Sequence, residues 1–446
     1  MVDLSILDVM QIFGRAGRPQ FDKSGEATLI TSHKALNRYL DLIIRSFPIE
    51  SNFIKQLADH LNAEVCGGTV CNIDEATEWL TYTCTYKKIY EILNLVEGFI
   101  FCKPHIMSNS NFKMFSKKFE QDLYVRMCRN PLAYGVTPEQ KENDPRLNIR
   151  TNELIKIAAK QLDKQRMVRY DEESGNLAVT DLGRIASHFY IQNDSIATFN
   201  SELERKKIHT DADLIHLICC ACEFENIRVR QEEMDDIVSI MEKDCPLKIT
   251  APLDEFSGKS CVLLQAYISN ARLSNFTLIS DTNYIASNAG RVARALFEMC
   301  LKKGMASAAV ILHRIAKSAD KRLWWFQSPL RQFHYEKIPE NVFKVLESKR
   351  NRSNKDIYSL DDTLALLEMQ SNELGQYIHW KKGGKTVQRC AGMLPRIEMN
   401  CIVQPVTRGI LRFQIQLTPK FIWESKYHGG AVGFWLWVED GDNSRM

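Results

Sequence analysis

Gln11-Ile12-Phe13-Gly14-Arg15-Ala16-Gly17-Arg18-Pro19-Gln20-Phe21-Asp22 lies near the start of a 446-residue chain. It sets two arginines three positions apart, with glycines at 14 and 17. At a helix start, positions i and i+3 share a face. Both guanidiniums then point one way, and the small residues let another surface come close. An always-charged planar fork suits a phosphate chain. In phosphoryl transfer such arginines stabilise charge on the γ-phosphate. A surface arginine pair beside a glycine turn fits the spacing equally well, and on spacing alone both readings stay open.

Composition bounds the rest. A chain of 446 residues holds two to four domains. Hydrophobic content of 45% and charged content of 25% are ordinary for a globular protein. The net charge of +3 makes no case for nucleic acid, so any basic surface has to be local. No apolar run is long enough to span a bilayer. Met1-Val2-Asp3-Leu4-Ser5 has no basic n-region followed by an apolar stretch, so no secretory signal is expected. The 13 cysteines are scattered, apart from Cys219, Cys220 and Cys222 in an apolar helical run from Leu214. No second Cys/His pair follows at zinc spacing, which favours buried thiols over a metal site. The chain reads as reduced and intracellular, with no membrane partner and no metal ligands.

A nucleotide-hydrolysing motor needs the phosphate loop G-x-x-x-x-G-K-[ST]. The one lookalike is Gly383-Gly384-Lys385-Thr386, where His379 stands in place of the first glycine. A D-E-x-H-type acidic motif is also missing. The expectation is a piece of a larger polypeptide, or a truncated gene product, that does not hydrolyse ATP alone.

The pattern along the chain is mainly α, with an α/β start and a β end. Residues 1–46 read as the tail of an α/β domain. A helix from Ile6 to Arg15 is followed by a turn at Lys23-Ser24-Gly25, a strand over Glu26–Thr31, and a helix after Ser32. Residues 47–180 are helix-rich, with Leu154, Ile157, Ala158 and Leu162 on one stripe. They end in a hairpin of Met167–Tyr170 and Leu177–Thr180 around Glu173-Ser174-Gly175-Asn176. Residues 181–330 read as nearly all helical. His188 there is packed or capping, and Arg228–Glu233 forms a solvated helical face. Residues 331–395 carry short helices. From 396 the period switches to two, with strands at Ile397–Pro405, Leu411–Leu417 and Phe434–Val438, the opening of a β-sandwich that needs about seven strands.

Within 181–330, one helix stands out: Asn283 through Glu298. Ala286, Ala289, Gly290 and Ala293 make a slim face, and Arg291 and Arg294 share a side. That suits contact with a single-stranded phosphate backbone. A tightly packed core helix with two surface arginines is the other reading.

The opening stretch resembles motif VI of the Ski-two-like branch of superfamily 2 helicases, Q-x-x-G-R-A-G-R-P, matched at Gln11, Gly14, Arg15, Gly17, Arg18 and Pro19. The resemblance covers nearly the whole chain outside residues 84–121. It implies an architecture in chain order: 1–46, the end of a second RecA-like domain; 47–180, a winged helix; 181–330, a helical ratchet bundle; 331–395, a helix-hairpin; 396–446, a partial immunoglobulin-like β-sandwich. Residues 84–121 interrupt an expected helix and read either as a loop or as a retained intron.

The resemblance also implies site residues. Gln11, Gly14, Arg15 and Arg18 would contact ATP, with Arg18, and beside it Arg15, in the catalytic role. ATP and Mg belong to the parent protein, and the Mg ligands are not in this chain. Arg291 and Arg294, with Ser287 and Asn288, would line the strand channel, and Lys385, with Lys382, would hold phosphates in the helix-hairpin. The implied function is that of a fragment of an ATP-dependent helicase, of 3′–5′ type. It would act on single-stranded or duplex nucleic acid among other subunits of a large complex, in the nucleus and also in the cytosol. Two kinds of large two-cassette helicase compete, a transcription-cointegrator kind, which is favoured, and a spliceosomal kind. A non-catalytic binding module is the third reading. The last three modules also resemble a subunit of the endoplasmic-reticulum translocon, a likeness that the lack of an apolar span argues against carrying into function.

Overall fold

The computed structural model describes residues 9, 12–13, 16–17, 24–45, 51, 53–82, 123–205, 210–350, 365–436 and 438. The described chain is mainly helical, with two small antiparallel sheets of two strands each. The expected segment 84–121 lies outside the described residues. The chain divides into two compact units. The first comprises Met1–Leu61, Val70–Ala159 and Glu173–Asn176; the second comprises Asn62–Thr69, Lys160–Glu172 and Leu177–Met446.

In the first unit, α1 (His33–Arg45) follows Ser32, whose carbonyl accepts from Ala35 and Leu36 N–H. The strand expected over Glu26–Thr31 is absent: residues 24–32 carry no regular structure. Ile30 is 92% exposed, so its side of the run is uncovered among the described residues. Helices α2 (Leu57–Gly67), α3 (Ile73–Tyr82), α4 (Leu123–Arg129), α5 (Pro138–Asn143) and α6 (Asn148–Lys164) follow, α2 from Asn62 and α6 from Lys160 counting with the second unit. Thr137 begins α5 with a capping box, its hydroxyl accepting from Gln140 N–H while Gln140 accepts from Thr137 N–H. The stripe expected on α6 is corrected at one place. Leu154, Ile155, Ala158, Ala159 and Leu162 are buried, whereas Ile157 points away at 59% exposure. A helical face takes adjacent pairs such as 154/155 and 158/159, and 157 falls outside that arc.

In the second unit, β1 (Val168–Tyr170) pairs antiparallel with β2 (Leu177–Val179), Arg169 opposite Ala178. The hairpin thus sits where turn chemistry placed it. It runs into α7 (Asp181–Phe189), capped by Thr180, which accepts from Gly183 N–H. Then come α8 (Asn193–Arg205), α9 (Asp211–Cys219), α10 (Met234–Asp244), α11 (Phe256–Ile268), α12 (Phe276–Lys302) and α13 (Ala306–Lys321). Their core holds Phe199, Leu214, Ile218, Leu264, Ile285, Leu296, Leu312 and Trp324. Trp324 is 2% exposed and donates from its indole to Ser269 Oγ at 2.8 Å. Burial of that size stabilises by about 1.5–3 kcal/mol per large side chain. Arg228–Glu233 is not a solvated helix. Only Gln231–Glu233 forms a single 3₁₀ turn, and Glu233 is 1% exposed.

Helix α14 (Glu340–Arg350) leads to a hairpin of α15 (Ser371–Tyr377) and α16 (Gly384–Met393) around a core of Leu374, Ile378, Val387 and Cys390. The chain closes with β3 (Ile397–Thr407) paired antiparallel with β4 (Ile410–Pro419), Val403 opposite Phe413, and a short α17 (Ser425–His428). The third strand expected at Phe434–Val438 does not form; residues 431–436 are irregular. Trp435 instead sets its ring edge-on to Phe297 of α12 and His313 of α13, centroids 5.2 and 5.6 Å away. Among the described residues no helix is long and apolar enough to cross a membrane.

Candidate nucleic-acid interface

Helix α12 runs 27 residues, a rod of about 40 Å. Asn275 caps its start, the side chain accepting from Thr277 N–H at 3.1 Å. One side, including Leu278, Ile285, Ala289, Val292, Ala293 and Leu296, is buried. Against it pack α11, α13 and α7. The opposite side is polar. Asn283, Tyr284, Ser287 and Arg294 are exposed, and Asn288, Arg291 and Glu298 are half-buried between them. The 3.6-residue repeat puts these on one stripe.

The two arginines are held differently. Arg294 pairs with Asp320 of α13 at 2.5 Å, both side chains open to solvent at 47% and 43%. Gly290 leaves room beside that pair: a Cβ there would stand 2.6 Å from Asp320 Oδ1, and the carboxylate would have to shift. Arg291 turns to the C-terminal end of α7. Its Nη1 donates to the carbonyls of Phe189 (3.0 Å) and Tyr190, and Nη2 to Asn288 Oδ1 (2.7 Å). Helix-end carbonyls carry partial negative charge, so Arg291 is a cap for α7. Ser287 Oγ and Asn288 Nδ2 both donate to Tyr284 C=O at 2.9 Å. Tyr284 has its hydroxyl tied to Glu223 C=O at 2.9 Å, while the residue stays 43% exposed. An exposed ring on a polar stripe offers a face on which a base can stack. Its signal in the sequence was an aromatic residue one helical turn before Ser287.

A buried charge network sets where α12 begins. Lys259 of α11 is fully buried and reaches Glu233 at 2.6 Å, Asp281 at 2.7 Å and the Arg228 carbonyl at 2.9 Å. Arg230 and Thr277 also donate to Glu233. Burial pushes the Glu233 carboxyl up, but hydrogen bonds from Lys259, Thr277 and Arg230 outweigh it and bring the pKa to about 2. The sequence signal was a lone lysine in an apolar run, Ser260-Cys261-Val262-Leu263 following it.

The other candidates fall elsewhere. Lys382 and Lys385 are exposed at the α15–α16 turn. Gly384 in that turn is buried, and a Cβ on it would stand 1.9 Å from Ser371 C=O, so the turn is closely packed beneath the two exposed lysines. No contact joins Lys385 to the α12 stripe among the described residues. Gln11, Gly14, Arg15 and Arg18 lie outside the described residues; of that stretch Ile12, Phe13, Ala16 and Gly17 are described. His188 is exposed and meets the Phe189 ring edge-on. Cys219 is buried, and Cys220 Sγ lies 3.5 Å from His216 Nε2. Among the described residues no three His, Cys, Asp or Glu side chains gather as a metal group would require.

Residues 179–446 match the Sec63 Brl domain, and residues 50–99 match a winged helix-turn-helix domain. The chain belongs to the Sec63 Brl family. It is 40% identical over 441 residues to the DExH-box ATP-dependent RNA helicase DExH14 of Arabidopsis thaliana, covering 99% of this chain and 18% of that protein. Over 447 residues it is 40% identical to activating signal cointegrator 1 complex subunit 3 of Gallus gallus, covering 100% and 18%. The human U5 small nuclear ribonucleoprotein 200 kDa helicase is 37% identical over 441 residues, covering 99% and 18%. The chain thus spans about a fifth of the length of these relatives, and the resemblance read from motif VI holds.

Proposed function

We propose that this chain is the strand-guiding part of an ATP-dependent RNA helicase of the cointegrator-complex kind, acting in the nucleus, and also in the cytosol, among other subunits of a large complex. The observation that carries it is the polar stripe of α12, with Arg294 exposed at its centre and Tyr284 beside it. An exposed ion pair such as Arg294–Asp320 is worth under about 1 kcal/mol, so a phosphate can take Asp320's place. Arg291 keeps N–H donors beyond those it gives to α7 and adds to the same charge. Ser287 and Asn288 supply polar contacts, and Lys385 is a secondary phosphate contact. The module order set out from the resemblance, 1–46, 47–180, 181–330, 331–395 and 396–446, is the organisation we assign.

ATP and Mg would bind in the parent protein. Gln11, Gly14, Arg15 and Arg18 are the residues of this chain assigned to contact ATP, on the strength of the motif alone. The spliceosomal kind remains the runner-up, its human relative being 37% identical.

The test of the stripe is binding of a labelled single-stranded RNA to the 446-residue chain as salt is raised. Arg294→Ala is expected to weaken binding about three- to tenfold and to reduce the slope against log salt by close to one phosphate contact, about 0.7. Unchanged affinity and slope would remove Arg294 from the interface.

A further inference from the structure

A larger opening lies beyond the C-terminal end of the same helix. It is a groove of about 870 Å³ lined by the β1–β2 hairpin, α7, α8 and the end of α12. Five cations reach it, Arg166, Arg169, Arg184, Lys302 and Lys303, against three carboxylates, Asp163, Asp181 and Glu204. Two of the three carboxylates are ion-paired, and Asp163 accepts from Tyr170 N–H at 3.0 Å. Glu204 takes Arg166 at 3.0 Å and Lys303 at 3.4 Å, and Asp181 takes Lys302 at 3.4 Å. Arg169 on β1 and Arg184 on α7 are both exposed, and neither forms an ion pair among the described residues.

The groove is continuous with the stripe. It shares Asp181, Arg184 and Lys302 with a neighbouring open recess of about 570 Å³. That recess runs back along α12 to Glu298, where a third hollow begins that includes Arg294. From Arg294 to Lys302 is eight residues of helix, about 12 Å. That is roughly two nucleotide steps. A chain of regularly spaced phosphates passing Arg294 is therefore led onto two unpaired guanidiniums, whose forks fit phosphate oxygens.

We propose that this groove holds the phosphate backbone of the RNA strand next to the segment on the α12 stripe, with Arg169 and Arg184 as its phosphate ligands. The inference rests on the nucleic-acid reading above and lengthens its footprint onto the wing hairpin.

The experiment measures binding of oligouridines of about six and about twelve nucleotides to the 446-residue chain. The wild type is compared with the double variant Arg169→Glu/Arg184→Glu, with Arg169→Lys/Arg184→Lys, with Arg294→Ala, and with the exposed control Lys243→Glu/Lys248→Glu. Thermal melting checks that each variant folds. The glutamate pair is expected to lose about tenfold in affinity for the longer oligomer and little for the shorter, and to flatten the salt slope by about 1.4, two phosphate contacts. The lysine pair keeps most of the affinity. If the glutamate pair binds both lengths like wild type while Arg294→Ala weakens both, the groove is overturned and the stripe stands. If only the groove variant weakens binding, the stripe is overturned and the groove stands. Equal losses in the Lys243/Lys248 control would show a general charge effect and overturn the groove. No binding by the wild type would overturn both. A groove that takes an acidic protein segment instead shows as charge-sensitive peptide binding with RNA affinity unmoved, which also overturns the proposal.

Discussion

Arg291 and Arg294 look equivalent in the sequence and are not equivalent in the fold. Arg294 faces an exposed carboxylate; Arg291 is built into the end of α7 through two backbone carbonyls. Arg291→Ala is therefore expected to cost about 1 kcal/mol of stability, because it removes hydrogen bonds to the partly exposed carbonyls that end α7. Arg294→Ala is expected to leave stability within about 0.5 kcal/mol. Urea melts of the two variants separate these outcomes, and equal stability would remove the capping role. Lys259 is the other decisive residue. Lys259→Met leaves Glu233 and Asp281 without their shared cation and is expected to cost about 3–5 kcal/mol. The same network predicts a pH dependence. Glu233 sits below its ordinary value of 4.5 in the folded chain, at about 2. Its contribution is therefore full above pH 4.5 and is lost as pH falls toward 2. A denaturation series across that window checks it; a Glu233→Gln variant should lose that part of the acid sensitivity.

Elements were legible where their signals are local. The hairpin turn at Ser174-Gly175 and the Thr180 start of α7 both lie within a few residues of what they specify. Strands were less so, because a strand exists only with a partner. Glu26–Thr31 and Phe434–Val438 have strand composition, yet neither forms a strand, while β3 and β4 find each other through a short turn. The β3–β4 pair leaves Met399, Ile402, Phe413 and Leu417 each about half exposed, since two strands cannot cover both of their own faces. At the α15–α16 hairpin the deciding element is a close approach. Gly384→Ala drives a Cβ into the Ser371 carbonyl. The expected loss is about 1–3 kcal/mol. Hydrogen exchange should rise across residues 371–393 and stay flat in α12; protection unchanged in the hairpin would refute the contact.

For the whole molecule, motif VI and the α12 stripe stand in different parts of the chain and are expected to do separable work. In a full-length protein carrying this sequence, Arg18→Ala is expected to abolish ATP turnover while RNA binding stays within about twofold. Arg294→Ala should instead weaken RNA binding about three- to tenfold. Normal ATPase in the Arg18 variant would sink the assignment made from the motif.

The sequence by itself pointed to helicase relatives, because the string from Gln11 to Pro19 is contiguous, and it marked several helices, because capping and a 3.6-residue repeat are local properties. It also placed Arg291 and Arg294 on one side of one helix. Only the tertiary structure decided which of them is exposed beside a carboxylate and which is built into the end of α7. Their partners lie 26 positions away for Arg294 and 102 for Arg291, and no short-range pattern encodes those distances. The same holds for Lys259, whose carboxylates come from two other segments, and for Arg169 and Arg184. Their neighbourhood in one groove exists only after β1, α7 and the end of α12 have packed together.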